Sequence, residues 1–140
     1  MKISATIFMN PIGKARPRHV MFRDKAGQPR VRDYIPAPTL TAQGLIQAAI
    51  RKEVLKYGRF EDGVAIKLTG TFYRLRPKST KKSITKPITK PDWDNCAKLV
   101  SDSLTKFTFR DDAVITTAII KKRFGEPPRI ELLLEEDTDE

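Results

Sequence analysis

Two pairs of carboxylates stand out in this otherwise basic chain. The acids are Asp92 and Asp94 in KPDWDNCAKLVSDSL, and Asp111 and Asp112 in FRDDAV. Converging carboxylates raise one another's pKa values unless a cation lies between them, and a hard divalent ion such as Mg²⁺ prefers oxygen ligands. Lys98 follows Asp94 by one helical turn. The pattern predicts a metal site that assists phosphodiester hydrolysis, with Lys98 stabilising the developing charge or orienting a ligand.

Each pair of acids also has a simpler structural explanation. An Asp at a helix start is commonly a cap, and an acidic pair before a strand is commonly part of a turn. Acids inside a surface that binds polyanions weaken that binding, however, so they need a reason to be there. The combination of both pairs with a nearby lysine therefore favours the metal site over caps and turns.

The distribution of charge indicates which kind of substrate such a site would meet. The formal net charge is +10, from 27 Lys and Arg against 17 Asp and Glu. The last ten residues contain six of the acids and no base, so residues 1–130 carry 27 basic against 11 acidic residues, or +16. Such a field attracts polyanions, and nucleic acid is the commonest one in a cell. The alternative is a basic surface that serves only solubility or that binds ribosomal RNA passively.

Composition excludes several other classes of protein. A single cysteine, Cys96, forbids an internal disulfide, and together with the single His19 it leaves too few ligands for a zinc site. No apolar run approaches the roughly 20 residues of a spanning helix, and the N terminus is a poor signal peptide. We therefore expect a cytosolic protein that does not bind membranes, and any metal must be held by oxygen.

The elements that must position the acids follow from hydrophobic periodicity. Alternation and turn residues predict strands, and a 3.6-residue period predicts helices. The expected strands are 2–9, a possible hairpin of 20–23 and 29–35, 63–75, 114–124 and 129–136, and the expected helices are 41–57 and 92–106. At 140 residues the chain is expected to be one domain. This order predicts an α/β (α+β) fold, a mixed sheet with the two helices packed on one face.

Two further segments have compositions unlike the rest. Residues 74–90 hold seven basic residues, two prolines and no acid, so we expect a mobile loop that settles on DNA backbone. Residues 135–140 are expected to form a frayed acidic tail. On the second helix, Asp94, Lys98 and Asp102 share one face, whereas Cys96 and its apolar neighbours share another.

KPDWDNCAKLVSDSL, followed by FRDDAVI and KKRFGEPPRIEL and preceded by GKARPR, strongly resembles the RusA family of Holliday junction resolvases, many of them encoded by prophages. The resemblance implies a homodimeric endonuclease that depends on Mg²⁺, with Mn²⁺ as a substitute, and nicks four-way DNA junctions symmetrically. It implies metal binding by Asp92, Asp94 and Asp112, with Asp111 a weaker candidate, and an active-site role for Lys98. The cations expected to bind DNA are Lys14, Arg16, Arg18, Arg74, Arg76, Lys78, Lys81, Lys82, Lys86 and Lys90.

The chain departs from the family pattern at two places. Cys96 stands where the motif usually has an aliphatic residue, and Lys106 replaces a glycine often found after the second helix. Trp93, between the two acids, is expected to pack at a dimer seam rather than to stack on a base. Two other functions remain open, a non-catalytic module that recognises DNA structure and a nuclease for flaps or other branched nucleic acids.

Overall fold

A four-stranded mixed sheet and two helices make up most of the computed structural model, which describes residues 1–140. The strands of the sheet lie in the order β1, β6, β4, β5. The elements are β1 (Lys2–Ile7), β2 (Arg18–Arg23), β3 (Pro29–Tyr34), α1 (Ala37–Tyr57), β4 (Ile66–Arg74), α2 (Trp93–Leu104), β5 (Ile115–Phe124) and β6 (Arg129–Glu136). The predicted α+β class with a mixed sheet and two main helices is confirmed.

One hydrophobic core joins the sheet to both helices. Along β4 every second residue is buried, including Ile66, Leu68 and Phe72, as expected for a strand with one face on the core. Helix α1 adds Ile46 and Ile50 to the same cluster. Helix α2 buries Cys96, Leu99, Val100 and Leu104. Burial of that side of α2 leaves its other side, with Asp94 and Lys98, exposed.

Strands β4 and β5 are parallel neighbours, whereas the other pairs in the large sheet are antiparallel. A parallel pair needs a crossover connection, and here the long loop and α2 supply it. The acids at the start of α2 and the acids before β5 therefore belong to one crossover unit. This unit is what brings the two sequence motifs to one region.

Several boundaries differ from the sequence prediction for local physical reasons. Helix α1 begins at Ala37 rather than at residue 41, because Pro38 fits the first helical turn. Helix α2 ends at Leu104 rather than at 106, and Lys106 has a left-handed φ of 71°. A short 3₁₀ turn at Asp112–Val114 precedes β5. The predicted hairpin is confirmed and starts earlier, at Arg18.

The C-terminal residues differ from the expected frayed tail. Strand β6 continues through Glu136. Asp137 accepts hydrogen bonds from the hydroxyls of Thr116 and Thr117, both at 2.6 Å, and these bonds lower the pKa of its carboxyl. Asp139 pairs with Lys67 at 2.7 Å. Acidic residues that look solvated in sequence thus find donors on β4 and β5.

None of the helices is long and apolar enough to cross a membrane.

Candidate active site

The first pair of acids lies at the start of helix α2, with Asp94 in its first turn. Asp92 occupies the N-cap position but makes no side-chain capping bond. Its carboxylate instead pairs with the ammonium group of Lys90 at 2.7 Å. Asp94 is exposed and has no ion-pair partner. The capping explanation of this motif is therefore not what the structure shows: the Asp94 carboxylate is free to meet a ligand, and that of Asp92 is paired with Lys90.

The second pair of acids lies in the 3₁₀ turn before β5. The carboxylates of Asp111 and Asp112 neither cap that turn nor form an ion pair. Burial raises the pKa of the Asp112 carboxyl, and the hydrogen bond and charge of Asp111 raise it further. The charge of Asp102 acts in the same direction, whereas that of Lys98 lowers the pKa. Asp112 therefore lies in a field of neighbouring carboxylates, with one opposing ammonium group.

The two acidic motifs meet in one cleft between α2 and β5. Asp94, Lys98 and Asp112 line this cleft together with Leu68 and Ile115. Trp93, also at the cleft, exposes 65% of its surface in the single chain. Asp92 is not among the lining residues. The structure thus brings together three of the four residues predicted to be catalytic and leaves the fourth beside them at the helix start.

A second group of residues frames the site from the N-terminal side. The backbone NH of Lys14 donates to the carbonyl of Asn95 at 3.0 Å, and the Lys14 ammonium pairs with Asp102. Gly13 lies so close to α2 that an added Cβ would stand 2.7 Å from the Asn95 Cβ. The absence of a side chain at Gly13 thus allows this segment to lie along α2, beside Asp94 and Lys98.

The long basic loop is fastened at its base. The guanidinium of Arg74 donates to the Thr89 hydroxyl at 3.0 Å and to the Lys90 carbonyl at 2.9 Å. Lys122 on β5 donates to the Thr89 carbonyl at 2.7 Å. These contacts fix the residues that lead into α2 and hence Asp92. The contact of Lys122 with the loop was not predicted from sequence, because the residue pattern of a strand does not show which loop carbonyl a lysine side chain will reach.

The ten cations predicted to bind DNA fall into groups with different partners. Lys14 and Lys90 pair with site carboxylates, and Arg74 and Arg76 donate to carbonyls of the loop itself. The remaining six are exposed and have no side-chain partner. These are Arg16, Arg18, Lys78, Lys81, Lys82 and Lys86. They are the cations best placed to meet phosphate.

Cys96 lies under the site but not in it. The thiol is buried, and burial raises its pKa to about 11. A protonated, enclosed thiol is neither a nucleophile nor a metal ligand at neutral pH. Its position confirms the expected place of Cys96 on the apolar face of α2.

The oxygen ligands of the cleft fit a hard cation that is bound by few carboxylates and completes its coordination with water and phosphate. No three His, Cys, Asp or Glu side chains are close enough to hold a metal ion by themselves. Mg²⁺ is typically held by one or two carboxylates, with water and substrate phosphate as its other ligands. Asp94 and Asp112 supply such carboxylates. Burial raises the pKa of Asp112 most, the neighbouring Asp111 carboxylate raises it further, and a bound cation would offset the repulsion between the two acids.

A cleft with two carboxylates and a lysine, in a chain with a formal net charge of +10, fits a nuclease. The family model of endodeoxyribonuclease RusA matches residues 9–135, and the chain belongs to this family of endodeoxyribonucleases. A relative, the uncharacterized protein YqaN of Bacillus subtilis (strain 168), is 27% identical over 150 aligned positions that cover 96% of each chain. The matched region includes both acidic motifs, the basic loop and the hairpin.

Proposed function

We propose that this protein is a Mg²⁺-dependent endonuclease that resolves four-way DNA junctions by paired symmetric nicks in recombination and repair. The observation that carries the proposal is the shared cleft of Asp94, Lys98 and Asp112 within a basic surface. Family membership supports the endonuclease activity and the branched substrate.

The acidic residues of the cleft and its lysine would have different roles in the reaction. Asp94 and Asp112, with Asp92 beside them, would hold Mg²⁺, which when bound activates a water and neutralises charge on the phosphate and leaving oxygen. Lys98 carries an exposed ammonium close enough to lower the pKa of Asp112. The same ammonium would stabilise charge that develops on the phosphate. Asp111 would act through its contact with Asp112 rather than as a ligand of its own.

Symmetric nicking requires two cleavage sites of opposite orientation, and a two-fold homodimer provides them without additional sequence. Trp93 exposes a large apolar surface next to the cleft, which supports its expected place at a dimer seam. We therefore propose that the active form is a homodimer.

Incubation of the pure protein with synthetic four-way, three-way, flap and linear DNA, with and without Mg²⁺, tests this function. The expected result is metal-dependent, symmetrically placed nicks in the four-way junction. Binding without cleavage would indicate a non-catalytic module, and preferred cleavage of flaps would indicate a nuclease of broader specificity.

The Asp94→Asn variant connects that activity to the cleft. We expect it to lose cleavage but to bind the junction equally or more tightly, since it removes a metal ligand and one negative charge near phosphate. Glu136→Gln makes the same change of charge at an exposed acid at the end of β6 and should cleave normally. Lost binding by a folded Asp94→Asn would contradict the assignment. If Asp111→Asn is inactive and Asp112→Asn is fully active, Asp111 is the metal ligand and Asp112 is not.

A further inference from the structure

The hairpin of β2 and β3 stands apart from the rest of the fold. It forms a separate two-stranded sheet, and all twelve of its strand residues are exposed. A two-stranded hairpin is marginally stable in water without a surface to pack on. Its exposed residues nevertheless include large apolar ones, with Phe22 at 45% and Met21 at 75% exposure. A ligand that covered these exposed apolar side chains would remove them from water and stabilise the hairpin.

The pairing register gives the hairpin two chemically different faces. Residues directly opposite one another in an antiparallel pair lie on the same side. Arg18 pairs with Tyr34, Val20 with Arg32 and Phe22 with Arg30, so one face combines three arginines with two aromatic rings and a valine. The other face carries Met21 opposite Val31, His19 opposite Asp33 and Arg23 opposite Pro29. We call the first of these the arginine-aromatic face.

Charge on the arginine-aromatic face is largely uncompensated. Asp33 is paired with His19 on the opposite face. Asp24, in the turn, pairs with Arg30 at 3.0 Å. Arg18 and Arg32 have no acidic partner. Two free guanidinium groups beside exposed aromatic rings complement nucleic acid, where arginines meet phosphates and rings stack on bases.

Both ends of the hairpin are rooted at the candidate active site. The segment before β2 contains Lys14 and Arg16, which line a cleft with Asp94 and Lys98. The residue after β3 is Ile35, which lines a neighbouring cleft with Asp102 and Asp112. Six residues of strand span about 17 Å. DNA held at the acids is therefore within reach of the hairpin.

We propose that the arginine-aromatic face is a second DNA-binding site, in which Phe22 and Tyr34 stack on bases left unstacked at a branch point while Arg18 and Arg32 hold the adjacent phosphates. This proposal rests on the proposed function, because it assumes a branched DNA substrate. Bases within a continuous duplex are stacked on both sides and offer no free face. The hairpin would therefore favour branched over linear DNA.

The test compares binding of a synthetic four-way junction and a linear duplex by the full chain in Ca²⁺. Phe22→Ala should weaken junction binding by roughly 5- to 150-fold, the range for one base on one ring, and leave duplex binding within about twofold. Phe22→Tyr should restore junction binding. Met21→Ala, on the opposite face, is the matched control and should change neither affinity. Arg18→Ala with Arg32→Ala should weaken both DNAs and lower the salt slope by roughly 2.

Several outcomes would overturn the hairpin site. If the parental protein prefers the junction and Phe22→Ala retains that preference, the hairpin inference fails while the proposed function stands. If the parental protein shows no preference for branched DNA, both fail. If Phe22→Ala instead changes the sedimentation of the DNA-free protein, the face is an interface between two copies. The hairpin lies outside the hydrophobic core, so a thermal melt should show an unchanged fold for every variant.

Discussion

Removal of four loop lysines provides a quantitative test of how the protein holds DNA. Lys78, Lys81, Lys82 and Lys86 are exposed and unpaired, in a segment without helix or strand. The loop's other cations are committed elsewhere, since Arg74 and Arg76 donate to loop carbonyls and Lys90 pairs with Asp92. The four lysines are thus the cations of the loop that have no hydrogen-bond or ion-pair partner, and the base of the loop is fastened at Thr89 and Lys90, before α2 begins.

The size of the effect follows from counterion release. Each phosphate neutralised on duplex DNA contributes about 0.9 to the slope of log affinity against log salt. Four contacts contribute about 3.6, so replacing all four lysines with alanine should flatten the slope by roughly 3 to 4. Between 50 and 200 mM salt the parental protein should lose about 10²-fold more affinity than the variant. Binding at low salt should be weaker in the variant.

The assay is a titration of the four-way junction at several salt concentrations in Ca²⁺, so that binding proceeds without cleavage. A matched pair of double variants separates local from global charge. Lys81→Ala with Lys82→Ala should lower the slope by roughly 2, whereas Lys52→Ala with Lys56→Ala, on α1, should leave it unchanged. A quadruple variant with the parental slope would show that the loop does not touch phosphate. The binding face would then be built around Arg16 and Arg18.

Three further substitutions test single features of the site. Lys98→Ala should lower the cleavage rate by roughly 10²-fold or more with nearly unchanged junction affinity, and equal losses in both would make it an ordinary phosphate contact. Lys106→Gly should raise the free energy of unfolding by roughly 0.5–1 kcal/mol, because Lys106 has a left-handed φ that strains a residue with a Cβ. Denaturant titration measures this gain, and Lys106→Ala, which keeps the Cβ, should not show it. Gly13→Ala should impair cleavage by pushing the Lys14 segment away from Asn95, and full activity would show that the segment's position does not matter.

Local periodicity was sufficient to predict most of the fold. The alternation in β4 and the apolar spacing in α2 report directly which face of each element is buried, so the class of fold and the side of α2 that presents Asp94 followed from sequence. Boundaries were less predictable, because they depend on single residues. Pro38 extends α1 toward its N terminus, and Lys106 takes up the conformation that a glycine would adopt more readily.

One acid of each motif, Asp94 and Asp112, lines the same cleft, whereas no three acids are close enough to hold a metal ion together, and the partners of the charges were not predictable from sequence. Formal charge says how many cations a segment has and nothing about which of them are neutralised by acids elsewhere in the chain. Lys14 and Asp102 are 88 residues apart and meet because a glycine lets one segment lie along α2. From sequence, Lys14 counted as one of ten equivalent phosphate contacts.

That pairing changes the interpretation of the basic character of the chain. If every one of the ten predicted cations contacted DNA phosphate, none would offset the negative charge of the carboxylates in the cleft, and these carboxylates would weaken DNA binding. Instead Lys14 pairs with Asp102 and Lys90 with Asp92, which offsets carboxylate charge next to the cleft, while the predicted DNA contacts without a side-chain partner lie on the loop and at or just before the start of the hairpin. Asp94 and Asp112 are left without such a partner. Asp94 and Asp112 are thus the proposed metal ligands whose charge no ion pair within the chain offsets, whereas Asp92 already has a cationic partner.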